Sequence, residues 1–153
     1  LDEHNGISYI SEPIKEETEI SGLMTGKLDF ILNKRDVDLA VTLYEKMASG
    51  DYFLLTYHLG RASYAKDRSK RQLLKPGKRT QIDFRSERLI SRKLQLGSRL
   101  VVVVQVIKQS DQQINCGAGK DVGAETIADA GKPLEILWGG NSYIEVPIWR
   151  ANE

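Results

Sequence analysis

Only one cysteine, Cys116, stands in this chain of 153 residues. No internal disulfide and no thiolate-held metal cluster can form from it. The two histidines, His4 and His58, lie far apart, and neither has the histidine partner four residues away that helical zinc sites use. No metal and no cofactor is expected. Long apolar runs are also missing. The longest, VVVV at 101–104, has the length of a strand, far short of the ~20 residues of a membrane helix. No membrane partner is expected. The N-terminus LDEHNGIS has neither the basic start nor the apolar stretch of a signal peptide. With the single cysteine this favours the cytoplasm, although a fragment would lose its parent's signal and the parent's compartment stays open.

The motifs of several chemistries are missing as well. A serine nucleophile on a strand-to-helix elbow needs G-x-S-x-G, and none occurs. A triad needs a histidine held by a carboxylate. His58 falls inside an extended run, where it reads as a half-buried strand residue. CGAGKD at 116–121 approaches a phosphate loop, but Lys120 is followed by Asp121, and Ile114 stands where the first glycine belongs. Its glycines are expected to make a tight turn with positive φ. Glu12, Glu16, Glu17 and Glu19 crowd together without the Asp/Asn/Gly rhythm of a calcium loop. That segment is expected to be a solvated lead-in to the first strand.

What the chain does contain is short extended runs between turn residues. In VDLAVTLYE (37–45), Val37, Leu39, Val41 and Leu43 share one face, with Asp38, Thr42 and Tyr44 on the other. DYFLLTYHLG (51–60) completes a hairpin. Simple alternation there puts Phe53, Leu55, Tyr57 and Leu59 on one face and Tyr52, Leu54, Thr56 and His58 on the other. SRLVVVVQVI (98–107) is apolar on both faces and predicts a central, doubly covered strand. Further strands are predicted at 26–33, 79–84, 87–94, 133–138 and 142–149, the last interrupted by Pro147. Residues 121–131 carry the one helical signal, with Gly131 to stop it. The reading is an all-β sandwich of about eight to nine strands with jelly-roll topology, one domain over residues 1–153.

Charge is unevenly placed. Residues 61–99 hold 13 Lys and Arg against Asp67, Asp83 and Glu87, a balance of +10, while the remainder balances at −9. The expected reason is that opposite charges from different segments meet across the folded surface. The less favoured alternative is nucleic-acid binding by the irregular basic loop 65–79, with Tyr64 as its one stacking ring. A further alternative is a free-standing carbohydrate-binding module, for which Trp138, Tyr143 and Trp149 supply the rings.

Six segments occur in a family's order: YISEPIKEETEISG (9–22), RDVDLAVTLYE (35–45), LGRASYAKD (59–67), LLKPG (73–77), INCGAGKD (114–121) and SYIEVPI (142–148). Over residues 7–149 the chain resembles the C-terminal β-domain of the cocaine esterase / X-Pro dipeptidyl-peptidase group of serine hydrolases, the acyl esterases. The first segment departs from that family's pattern mainly by Ile14 in place of leucine. The resemblance implies a galactose-binding-like jelly roll that packs on an α/β-hydrolase domain and helps enclose its active site. It implies ester or X-Pro peptide hydrolysis by the parent, and no catalytic residue of the family maps onto this sequence. The chain is then a C-terminal fragment of a larger hydrolase. Arg61, Ser63, Tyr64 and Asn115 are the candidates to face the missing domain, Arg61 by a bidentate carboxylate contact. For Arg61 and Asn115 the alternative is that they only satisfy turn carbonyls within their own domain. An exposed apolar patch is expected where the partner packs.

Overall fold

The structure, a computed structural model, describes residues 6–109 and 111–150. His4 lies outside the described residues. The strands are β1 (Gly6–Ile10), β2 (Thr18–Gly22), β3 (Thr25–Leu32), β4 (Asp38–Lys46), β5 (Tyr52–Arg61), β6 (Arg79–Arg85), β7 (Ile90–Lys93), β8 (Arg99–Val106), β9 (Ile136–Trp138), β10 (Tyr143–Glu145) and β11 (Ile148–Arg150). All pair antiparallel, in the orders β1-β8-β4-β5, β10-β3-β6 with β9 also on β3, and β11-β2-β7.

Side-chain alternation assembles the sandwich. Leu39, Val41 and Leu43 of β4 and Val102 and Val104 of β8 turn inward from the four-stranded sheet. They join one core with Leu28, Phe30 and Leu32 of β3, Ile82 and Phe84 of β6, Ile20 of β2 and Ile90 of β7. Phe30 is fully buried and meets Trp138 edge-on, with ring centroids 5.7 Å apart. The expected all-β sandwich is what these residues build. Strand β8 lies between β1 and β4 with Val101, Val102, Val103 and Val104 all buried, as its two apolar faces predict.

Eleven strands replace the eight or nine expected. Two precede the first expected strand: β2, at the end of the acidic lead-in, where Thr18 and Ile20 are buried, and β1, ahead of that lead-in, which pairs with β8 while its own side chains stay largely exposed. The third difference is at Pro147. β10 pairs with β3, but β11 pairs with β2, so the last run changes sheet at the proline. A residue without an N–H suits a switch point, where it interrupts no ladder.

A register shift between Leu43 and Tyr44 corrects the predicted faces of β5. Tyr44 pairs with Leu54 and Leu43 with Thr56, leaving Leu55 as the extra residue of a bulge. His58 and Thr56 therefore share the inward face with Phe53, and Tyr57 and Leu59 share the outward face with Tyr52 and Leu54. The basic loop 65–79, expected from the sequence to be the longest irregular connection, is exceeded by the one between β8 and β9, which contains a 3-10 turn at Val122–Ala124 and a single α-helical turn, α1 (Ile127–Ala130). Thr126 and Asp129 cap α1 reciprocally and Gly131 ends it, so the helical signal divides in two. Pro76–Gly77 forms a turn ahead of β6, with Gly77 at φ 75° and the Lys78 N–H donating to the Lys75 carbonyl over 3.1 Å.

Candidate interface site

β4 begins at Asp38 and β5 ends at Arg61, and register places the two opposite each other. The Arg61 guanidinium takes both carboxylate oxygens of Asp38 in a fork, Nε to Oδ1 and Nη2 to Oδ2, each over 2.8 Å. That hydrogen bond raises the Arg61 pKa above its ordinary value, and Arg61 stays charged. Asn115 donates from Nδ2 to Asp38 Oδ1 over 2.8 Å and accepts the Gly117 N–H on Oδ1 over 2.9 Å. Two residues earlier, Asp36 accepts the Val37 and Ser63 N–H groups on Oδ1, and the Ser63 hydroxyl (2.7 Å) and Arg71 Nη2 (2.9 Å) on Oδ2.

The structure thus brings Arg61 and Asn115 together on Asp38, and Ser63 onto the adjacent Asp36. Tyr64 follows Ser63 on the 3-10 turn Ala62–Tyr64 and is half-exposed. Ser63 and Asn115 are buried, and their polar groups are used inside the domain. Arg61 and Asn115, for which turn carbonyls were the alternative, instead donate to the Asp38 carboxylate, and Asn115 also accepts the Gly117 N–H.

Two further pairs repeat the arrangement. Asp29 is fully buried and grips Arg79, which holds its carboxyl below the usual carboxylate range. Glu45, also fully buried, points inward from the end of β4. Burial pushes its carboxyl up, but the Gln95 N–H at 2.7 Å and the Arg92 guanidinium outweigh that and hold it low. Arg92 faces inward from β7, so this pair spans the two layers, and the guanidinium lies 3.7 Å from the Phe53 ring centre. Arg61, Arg71, Arg79 and Arg92 all come from the basic segment 61–99, and Asp38, Asp36, Asp29 and Glu45 all come from the acidic remainder. The charge asymmetry of the sequence is this set of partnerships. Sequence reading expected opposite charges from separate segments to meet, and they do, but with the carboxylates buried rather than at the surface.

A cleft of ≈ 920 Å³ opens beside β5, lined by Arg61, Tyr64, Arg68, His58, Phe84 and Glu87 among others. His58 stacks on Phe84, and its Nδ1 lies 3.0 Å from the Arg85 carbonyl and 3.2 Å from Glu87 Oε1. Burial lowers its pKa, against the opposing pull of Glu87. The ring is a half-buried strand residue, as expected. A second cleft of ≈ 370 Å³ holds Trp138 and Tyr143 near Tyr9, whereas Trp149 belongs to β11 in a different sheet.

The glycine-rich turn at 116–121 uses its amides internally. The Glu125 carboxylate accepts the Cys116 N–H over 2.7 Å and the Gly119 N–H over 3.1 Å. Gly117 and Gly119 have φ of 75° and 88°, as the turn required. Among the described residues no cluster of His, Cys, Asp and Glu is placed to hold a metal ion, and no helix is long and apolar enough to cross a membrane.

This fold has known relatives. The alpha-amino acid ester hydrolase shares it with a TM-score of 0.83 at 21% identity, over 96% of this chain and 26% of that one. An aminopeptidase from a marine sediment archaeon, Thaumarchaeota archaeon, matches with a TM-score of 0.84 at 18% identity, over 96% of this chain and 26% of that one. A CocE/NonD family hydrolase from Staphylococcus aureus matches with a TM-score of 0.67 at 18% identity, over 94% of this chain and 30% of that one. The chain therefore spans about a quarter to a third of the proteins it resembles. No curated protein sequence matches it. Residues 1–117 match the family model of the X-Pro dipeptidyl-peptidase C-terminal non-catalytic domain. With most of its length matched and its sandwich shared, the chain belongs to the family of X-Pro dipeptidyl-peptidase C-terminal non-catalytic domains.

Proposed function

We propose that this chain is the non-catalytic domain of a larger serine hydrolase. In this reading it packs on the parent's α/β catalytic domain and helps enclose the active site where an ester or X-Pro peptide bond is cleaved. The observation that carries it is the family match over residues 1–117, since the family is defined as non-catalytic and C-terminal. The share of each relative's chain left uncovered supports a large partner. Within the proposal, Arg61 and Tyr64 present a corner to the catalytic domain. Ser63 and Asn115 act from behind it, by fixing Asp36 and Asp38.

The carbohydrate-binding alternative has less support, because its third ring, Trp149, sits on a separate sheet from Trp138 and Tyr143. The nucleic-acid alternative loses two of its cations, Arg71 and Arg79, to Asp36 and Asp29. Turnover tests the proposal: the isolated chain is expected to leave p-nitrophenyl esters and X-Pro p-nitroanilides unhydrolysed.

A further inference from the structure

The two outward faces of the sandwich differ in chemistry. Opposite the inward Leu28, Ile82 and Phe84, the face carried by β3 and β6 presents Lys27, Arg79, Gln81, Asp83 and Arg85, with Ile31 and the buried Asp29 among them and Leu137 of β9 and Tyr143 of β10 at its border. An antiparallel sheet with one solvated face is expected to look like this. The outward face of β1-β8-β4-β5 does not. Past the bulge, Tyr44, Tyr52, Leu54, Tyr57 and Leu59 all point outward on β4 and β5, and Ile10 does so on β1. Ile10 is 55% exposed, Leu54 46% and Leu59 45%. Between these edges Ala40, Val101 and Val103 are themselves buried, and the polar residues of this face on β4, besides Asp38 at its start, are Thr42, beside Val103 and Tyr57, and Lys46, beside Tyr52. Single exposed apolar side chains occur elsewhere on the domain, at Leu89, Leu96 and Ile127, but a group gathered on one sheet face is what an interaction surface presents.

We infer that the outer face of the four-stranded sheet is the surface that docks on the catalytic domain of the parent chain. This rests on the reading given under Proposed function and adds which side of the sandwich is used. Three observations commit the face to that occupant. The family is C-terminal, so the catalytic part precedes β1, and β1 is an edge strand of this same sheet. Chain arriving from that part reaches the domain at the border of the apolar face, where tethering gives the contact a high effective concentration. The neighbours of known structure carry roughly three quarters of their chains outside this domain, ample surface to cover a sheet. At the far end of β5 the face runs into the Arg61–Asp38–Asn115 cluster, whose bonds hold Arg61 in one geometry. An apolar centre with an ordered polar corner is the composition of a stable interface.

Site-resolved maleimide labelling of the full parent chain tests this. Single Leu54→Cys, Leu59→Cys and Gln81→Cys variants are made in a Cys116→Ser background. Their labelling rates are read by peptide mass spectrometry and normalised to the guanidinium-unfolded chain. Gln81 lies on the polar face and is exposed, so the isolated domain fold predicts comparable rates for all three. Docking through the apolar face predicts labelling at least tenfold slower at positions 54 and 59 than at 81, independent of protein concentration. Slow labelling at 81 with fast labelling at 54 and 59 would overturn the choice of face while leaving the packing reading intact. Fast labelling at all three would likewise overturn the choice of face. Protection at 54 and 59 that fades on dilution would give the face to a second copy and overturn the assignment to the catalytic domain.

Discussion

Each buried carboxylate of this domain is tied to an arginine that arrives from a distant segment, and the cost of separating them follows from where they sit. Glu45 is fully buried, with the Arg92 side chain 24% exposed beside it. A buried pair gains little over an apolar replacement, but removing one partner strands a charge in the interior. Arg92→Ala is expected to cost about 3 kcal/mol of unfolding free energy, the low end for a broken buried pair, measured by urea denaturation. His58 sets a pH dependence of its own. Burial lowers its pKa below the ordinary 6.5, so the unfolded chain binds the extra proton first. Stability from this group is complete above pH 6.5 and is lost as pH falls below it. The urea midpoint is expected to drop between pH 7.5 and 5.5, and His58→Gln is expected to flatten that drop. The carboxylates act lower: Asp129, held down to about 2 by Lys120, loses its contribution only as pH falls below its ordinary 3.8.

At the scale of elements, alternation in sequence revealed the strands that bury one face, and it failed where burial does not set the pairing. β4 and β8 were legible because Leu39, Val41, Leu43 and the valines at 101–104 carry the core. β1 was not, because it is held by its ladder to β8 rather than by buried side chains. β2 was masked by the glutamates around it, with only Thr18 and Ile20 turned in. The bulge at Leu55 was invisible, since an inserted residue changes the faces without changing composition. Close backbone approaches are equally hidden. Gly139 joins β9 to β10 where a Cβ would stand 2.3 Å from Asp29 Oδ2. Gly139→Ala must displace that carboxylate or the turn, and is expected to destabilise by about 2 kcal/mol, as overpacking does, read from the shift in urea midpoint.

For the whole molecule, the charge map and the apolar face belong to one account. Cations and anions of separate segments pair with each other within the domain, and the docking surface inferred above is the outward face of one sheet. The candidate corner was legible in part: Arg61, Ser63 and Asn115 do converge on the Asp36–Asp38 pair. The apolar face beside it was not, because its residues alternate with core residues on the same strands and the bulge scrambles that alternation on β5. The central claim is that this domain serves a hydrolase without supplying its chemistry. Hydrolysis of p-nitrophenyl acetate and an X-Pro p-nitroanilide by the purified 153-residue chain tests it most directly. The account predicts rates equal to buffer at every protein concentration. Turnover that rises with concentration and follows the chain through successive chromatography steps would contradict it.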